Sequence, residues 1–284
     1  MSDSPDSARH TLPDAPGTIG ILGCGWLGFP LAGRLLESGY SVRGTTTRAE
    51  KLDKLENAGI RAFQVVLTET GFTGDWREFL QGLDLLVCNI PPGIRANPQT
   101  DYPAKIRHLV RALEDHGVPR LIYIGSTSVY GRSQGVVDEA TEPEPDSESG
   151  RQLLRAEEIL RASPLAGSSL ILRFGGLIGP DRHPVTMLSG RTGLSGGNDP
   201  VNLIERTDCL NLIERAIRDP SQVGIANGVA PGHPAKADYY QGEALERGIP
   251  VPQYVDSTGQ KPGKRIKSRH FLVNTYEFLT TPEA

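Results

Sequence analysis

The sequence predicts an α/β protein: a doubly wound parallel sheet with helices on both faces and a small capping region toward the C-terminus. Three observations carry this expectation. Short apolar runs alternate with amphipathic stretches at least four times before residue 125. A Gly-x-Gly-x-x-Gly run, Gly23 to Gly28, falls where the first apolar run ends and the first amphipathic stretch begins. After Gly175 the alternation gives way to chain rich in Gly and Pro.

The elements follow in order. Residues 18–23 are short, apolar and end in glycine, as a buried parallel strand does. In residues 26–38, Leu27, Leu31 and Leu35 recur every fourth position with Ala32 and Leu36 beside them, which predicts a helix closed by Gly39. A strand over 40–46, a helix over 49–58 stopped by Gly59, and a strand over 60–67 continue the rhythm. A short helix is expected over 75–80, and a strand over 84–90 cut off by Pro91-Pro92-Gly93. A long helix over 101–116 leads to a strand over 120–125. Beyond an acidic, Pro-rich loop over 137–147, a helix over 149–162 and a strand over 169–174 complete the core. Residues 176–200 read as a loop, 208–218 as a helix, 224–227 as a strand returning to the sheet, and 236–247 as a helix.

Composition narrows the partners. The 284 residues carry 30 Lys plus Arg against 34 Asp plus Glu, a net charge of -4, which argues against nucleic acid as a partner. No apolar run approaches the ~18 residues of a spanning helix, so no membrane segment is expected. Three cysteines, Cys24, Cys88 and Cys209, form no C-x-x-C pair, which predicts no metal and a reducing cytoplasm. The segment 1–17 is rich in Ser, Pro and Asp, and reads as a disordered tail without signal-peptide features.

The glycine run carries the first chemistry. Gly23 suits a tight turn, Gly25 a close approach of backbone to a pyrophosphate, and Gly28 close helix–strand packing. Trp26 and Leu27 complete the loop, and the helix that follows presents free N–H groups to an anion. A dinucleotide-binding Rossmann core over 18–175 follows, with 222–230 rejoining the sheet. At the end of the second strand an NAD site usually carries a carboxylate for the ribose. Here Thr46, Thr47 and Arg48 stand instead, and a guanidinium suits a 2′-phosphate. The expected cofactor is therefore NADP, with NAD the second choice. Asn89, Ile90 and Pro91, at the end of the fourth strand, are expected to join the cofactor contacts.

Gly125-Ser126-Thr127-Ser128-Val129-Tyr130-Gly131 resembles the segment that ends the same strand in the extended short-chain dehydrogenase/reductases, the NAD(P)-dependent epimerase/dehydratase family. Leu172-Arg173-Phe174-Gly175 with Ile178-Gly179-Pro180, and Val201-Asn202-Leu203-Ile204 leading to Asp208, are similar to further stretches of that family. The resemblance runs from Thr18 to about Ser268. It implies that Ser126 hydrogen-bonds the reacting oxygen and that substrate lies under a small region formed by 176–221 and 231–284. It also implies a Tyr-x-x-x-Lys motif eight residues ahead of a glutamate. Aligning that glutamate with Glu157 puts Ser149 and Leu153 where Tyr and Lys belong. Neither can move a proton near neutral pH, so the resemblance is to atypical members.

Tyr130 is then the substitute acid or base to consider beside Ser126, although the family uses that tyrosine structurally. Thr127, Arg173, His183 and Arg206 are expected to line the substrate pocket, with the basic cluster Lys264, Arg265 and Lys267 nearby. Two functions remain open. One is an NADP-dependent oxidoreductase or epimerase acting on a small sugar-like or anionic metabolite with a non-standard acid/base. The other is a non-catalytic NADP-binding redox sensor. The resemblance also allows a homodimer through the helices at 101–116 and 149–162.

Overall fold

The computed structural model describes residues 17–94, 97–255, 259 and 261–283. The tail expected over 1–17 thus lies outside the described residues except for Gly17.

The chain opens with β1 (Thr18–Leu22), α1 (Gly28–Glu37) and β2 (Ser41–Thr46). Leu31, Ala32 and Leu35 turn the buried stripe of α1 onto the sheet, and Gly39, at φ +87°, lets the chain reverse into β2. Then come α2 (Leu52–Glu56), β3 (Arg61–Thr68), β4 (Gly71–Gly74), α3 (Trp76–Leu80) and β5 (Leu85–Cys88). The long helix α4 (Tyr102–Asp115) starts where the Asp101 side chain accepts from the Ala104 N–H at 2.9 Å. β6 (Leu121–Ser126) follows, then the two-residue β7 (Val136–Val137) and α5 (Glu148–Arg161), capped by Ser147. The remainder is β8 (Ser169–Phe174), β9 (Gly176–Ile178), α6 (Pro184–Leu188), β10 (Leu203–Glu205), α7 (Arg206–Arg218), β11 (Gly224–Gly228), α8 (Lys236–Glu246), β12 (Arg265–Ile266) and α9 (Phe271–Asn274).

The main sheet runs β11-β8-β6-β5-β1-β2-β3-β4 and is parallel except for β4. Chain order reverses between β1 and β5, so the crevice beyond their carboxyl ends is where a doubly wound sheet binds its ligand. One apolar cluster, with Ile106, Leu109, Leu113, Leu153, Ala156 and Leu160, packs α4 and α5 on one face. Another, with Leu31, Leu35, Leu212, Ile213 and Ile217, packs α1 and α7 on the other. Inside β1 this alternation is sharp: Ile19 and Ile21 belong to the second cluster and Leu22 to the first. A third, smaller cluster joins Ile178, Val185, Val201, Leu203, Tyr239, Tyr240 and Ala244 into a cap beyond the strand ends.

Several elements depart from the sequence expectation. β4 is an antiparallel edge strand hidden in Gly71-Phe72-Thr73-Gly74, whose glycines mask its propensity. The expected loop over 176–200 contains β9, which pairs with β10, and the one-turn helix α6. β12 pairs with β7 across more than a hundred residues, a contact no local pattern announces.

Candidate functional site

At the crevice between β1 and β5 the glycines do separate jobs. Gly23 sits at φ +104°, and a Cβ there would lie 2.8 Å from the Asn89 carbonyl oxygen. A Cβ on Gly28 would collide with the Gly23 carbonyl oxygen, while one on Gly25 would meet nothing. The loop is therefore tight against the protein at Gly23 and Gly28 and open toward the crevice at Gly25. Thr45 fixes it by accepting the Gly23 N–H at 2.9 Å, and the Asn89 side chain donates to the Gly23 carbonyl at 3.3 Å. Leu27 stands at the N-cap of α1 and gives no side-chain cap, and no carboxylate occupies the first turn. Phe29 N–H is taken by the Gly25 carbonyl at 3.0 Å and Pro30 has no N–H, so an anion meets the loop backbone ahead of Phe29 together with the positive end of the helix dipole. This cradle fits a dinucleotide pyrophosphate.

A cleft of about 400 Å³ continues from the loop past the end of β2, lined among others by Gly25, Trp26, Thr46, Lys51, Lys54, Asp181 and Arg206. Thr46 lines this cleft; Thr47 and Arg48 are exposed beside it, with Arg48 3.8 Å from Glu50. Lys51 and Lys54 were not singled out from the sequence. Their three-residue spacing after the second strand, which puts both on one helix face, was the available signal.

Over the loop lies the Trp26 ring. Its Nε1–H donates to Asp181 at 2.8 Å, and the guanidinium carbons of Arg182 and Arg206 lie 5.1 and 5.0 Å from its ring centroids. Arg206, expected in the substrate pocket, instead belongs to this clamp beside the phosphate loop. The Trp26 hydrogen bond, with Arg206 and Arg182 nearby, holds the Asp181 carboxyl below its ordinary value. Ile90 and Pro91 follow the end of β5, and the Ile90 carbonyl accepts from Tyr102 Oη at 3.1 Å.

The second cleft, about 460 Å³, lies beyond β6. Ser126, Thr127, Arg132, Asp199, Asn202, Lys236 and Lys264 are among the residues on its walls. Ser126 Oγ accepts from the Ser128 N–H at 3.2 Å, which turns the chain and leaves its own hydroxyl proton available. On α5, Ser149 is half-buried in the first turn and Leu153 is packed in the core at 5% exposure, so α5 supplies no proton carrier at either position.

Two expected site residues lie elsewhere. Tyr130 is 1% exposed, and its hydroxyl donates to the Asp138 carbonyl at 2.9 Å while Arg173 donates to it at 2.7 Å. Burial pushes this phenol up, against the opposing pull of Arg173 and Asn227, which suits a structural tyrosine and not a proton carrier near neutrality. Arg173, 2% exposed, pairs with Glu157 instead of lining the pocket. An arginine in the middle of the sheet needs a partner, and α5 provides it.

His183 is also buried, at 6%, and caps α6 by accepting the Val185 N–H on Nδ1 at 3.2 Å. Its Nε2 then carries the proton, toward Tyr239 Oη at 3.0 Å. It lines a third cleft, about 770 Å³, with Tyr239, Glu243 and Arg247, not the one that holds Ser126. Of the four residues expected around substrate, Thr127 alone shares the Ser126 cleft. Among the described residues no group of His, Cys, Asp and Glu is placed to hold a metal, and no helix is long and apolar enough to cross a membrane.

Comparison with known proteins agrees with this geometry. Residues 23–220 match the NAD(P)H-binding family model. Protein YeeZ of Escherichia coli K12 is 35% identical over 251 residues, covering 87% of this chain and 90% of its own. UDP-N-acetylglucosamine 4-epimerase from Bacillus cereus shares the fold with a TM-score of 0.74 at 15% identity, over 93% of this chain and 95% of that one. UDP-glucuronic acid 4-epimerase from Bacillus cereus, solved in complex with NAD, superimposes with a TM-score of 0.70 at 19% identity, over 91% of each chain. With its glycine cradle at the sheet's switch point and Ser126 at the end of β6, the chain shares the fold of these epimerases and belongs to the NAD(P)H-binding family.

Proposed function

We propose that this protein is an NADP-dependent oxidoreductase or epimerase acting on a small sugar-like or anionic metabolite, without the Tyr-x-x-x-Lys pair. The observation that carries this reading is the Ser126 cleft. A hydroxyl at the end of β6 shares one cavity with Arg132, Lys236 and Lys264, where a cofactor sensor would need no charged pocket. A relative in fold, UDP-glucuronic acid 4-epimerase from Bacillus cereus, was solved with UDP-glucuronic acid and NAD, which supports a small anionic substrate class here.

In this reading the backbone at Gly23, Gly25, Trp26, Leu27 and Gly28 holds the pyrophosphate, and Thr46, Thr47 and Arg48 meet the adenosine ribose and its phosphate. Asn89, Ile90 and Pro91 border the middle of the cofactor, and Ser126 faces its nicotinamide end. The bound cofactor supplies hydride transfer. Ser126 orients the substrate oxygen through its hydroxyl, with Thr127 on the same wall. Lys51 and Lys54 add positive charge beside the 2′-phosphate. The three free cysteines support a reducing, cytoplasmic setting, and a homodimer through α4 and α5 is part of the proposal.

The test is a binding titration with NADPH and NADH, followed by absorbance assays of nicotinamide oxidation and reduction against nucleotide sugars and small hydroxy and keto acids. We expect NADPH to bind tighter, and turnover with at least one anionic substrate that falls about 100-fold in Ser126→Ala. Tight NADPH binding with no turnover across the panel would favour the sensor, to which Ser149 and Leu153 at the motif positions already point.

A further inference from the structure

Charge around the Ser126 cleft does not cancel: three cations face two carboxylates, and among those three Lys264 alone forms no ion pair within the described residues. The charged groups on its walls are Arg132, Lys236 and Lys264 against Asp146 and Asp199. Asp199 is committed. It accepts from Arg132 Nε at 3.0 Å and Nη2 at 2.6 Å, from Lys236 Nζ at 3.3 Å and from the Gly263 N–H at 2.8 Å. Asp146 accepts from the Arg132 backbone N–H. Lys264 has neither of them: among the described residues no carboxylate lies within ion-pairing distance of its Nζ. It donates instead to two backbone carbonyls, those of Thr127 at 3.1 Å and Tyr130.

We infer that the Ser126 cleft binds an oxyanion, the carboxylate or phosphate of a small polar ligand, and that Lys264 is its anchor. The inference rests on reading this cleft as the substrate site and adds where the acidic group of the substrate sits. An ammonium offers three donors, and the carbonyls of Thr127 and Tyr130 take two of them. Neutral carbonyls solvate a cation but leave its charge uncompensated. In a partly enclosed cleft that charge attracts an anion far more than it would in open water. Burial lowers the Lys264 pKa, with Asp146 pulling the other way and Lys236 adding to the lowering. If Lys264 only tied segment 263–266 to the turn after β6, its ordered carbonyl partners would suffice and a ligand would leave it unchanged. Because Thr127 adjoins Ser126, the bound oxyanion lies close to the carbon that Ser126 addresses. Substrates with an acidic group next to the reacting carbon therefore fit better than neutral ones.

Trace acetylation with acetic anhydride, read for each lysine by mass spectrometry on the full chain, tests this directly. NADPH is present throughout to fill the phosphate loop, and inorganic phosphate or malonate is added in separate series. Labelling of Lys264 should fall roughly fivefold once either anion exceeds its Kd severalfold. Lys267, exposed three residues away, should not change. Protection by phosphate alone or malonate alone identifies the oxyanion, and either supports the site. Unchanged labelling of Lys264, or equal protection of Lys264 and Lys267, overturns it.

Lys264→Met should abolish the phosphate-dependent rise in Tm and Lys264→Arg should keep it. If Lys264→Met does not fold, labelling of the parent protein still decides. Quenching of tryptophan fluorescence by NADPH in the same samples reports the cofactor reading separately. Cofactor binding without Lys264 protection therefore refutes this site alone.

Discussion

Arg173 and Glu157 form a buried ion pair in which Arg173 Nη2 lies 2.5 Å from Glu157 Oε2 and the side chains are 2% and 1% exposed. Arg173 Nη1 also donates to Tyr130 Oη at 2.7 Å, and Tyr130 in turn meets Asn227. One network thus ties β8, α5, β11 and the turn after β6, and it holds the chain that carries Ser126. Burial works against the charge of Arg173, but Glu157 and Tyr130 outweigh it and hold its pKa above the ordinary value.

Removing one member of such a pair leaves a buried charge without compensation. Glu157→Ala is expected to lose about 3–5 kcal/mol of stability, read from the urea unfolding midpoint. Glu157→Gln should lose less, since the amide oxygen still accepts. A loss below about 1 kcal/mol in Glu157→Ala would show that the pair is solvated, contrary to its burial.

Cofactor choice should respond to the cations after β2. Arg48→Ala is expected to raise the Kd for NADPH about tenfold, equivalent to ~1.4 kcal/mol, and to leave NADH nearly unchanged. Lys51→Ala and Lys54→Ala should act in the same direction through the cleft they line. Equal weakening of both dinucleotides in all three variants would remove the basis for NADP.

The Trp26 clamp predicts a local change. Asp181→Ala removes the acceptor of Trp26 Nε1 and should speed amide exchange at Gly179 and Arg182, which bond to each other across the turn. Exchange in α5 should stay as it was. An unaltered rate at Gly179 and Arg182 would mean that Trp26 packing alone holds the turn.

His183 gives a pH dependence with a definite sign. Burial, with Arg247 adding to it, lowers its pKa below 6.5, although Glu243 pulls the other way at 3.6 Å. The native state keeps it neutral, so the unfolded chain binds the extra proton. Its contribution is complete above pH 6.5 and is lost as pH falls through the lowered native value. Protonation would also set a ring N–H against the Val185 N–H that Nδ1 now accepts. The Tm difference between the parent and His183→Asn should shrink from pH 7 to pH 5; a constant difference across that range would exclude His183 as the titrating group.

Much of the architecture was legible in one dimension because the signals are local. The glycine spacing of Gly23, Gly25 and Gly28, the four-residue stripe of α1 and the apolar runs of β1, β5, β6 and β8 each reflect contacts within a single strand–helix unit. The absence of a proton carrier at Ser149 and Leu153 was equally visible once Glu157 anchored the helix.

The membership of each cleft was not legible, because it depends on chain segments brought together from far apart. Arg173 reads as a pocket cation until α5 delivers Glu157 against it. Tyr130 reads as an acid until Arg173 and Asp138 surround its hydroxyl. Arg206 and His183 both lie near the Gly179–Arg182 turn in space yet line different clefts. Lys264, one of three basic residues in a short run, is distinguished from Arg265 and Lys267 only by strand pairing of β12 with β7, which carries it to Thr127. The parallel strands of the main sheet, the dinucleotide cradle and the missing catalytic pair are readable from the chain alone, since these follow from periodicity and residue type. Tertiary structure alone decided which charges are neutralised and which remain for a ligand, because charge balance is set by neighbours in space.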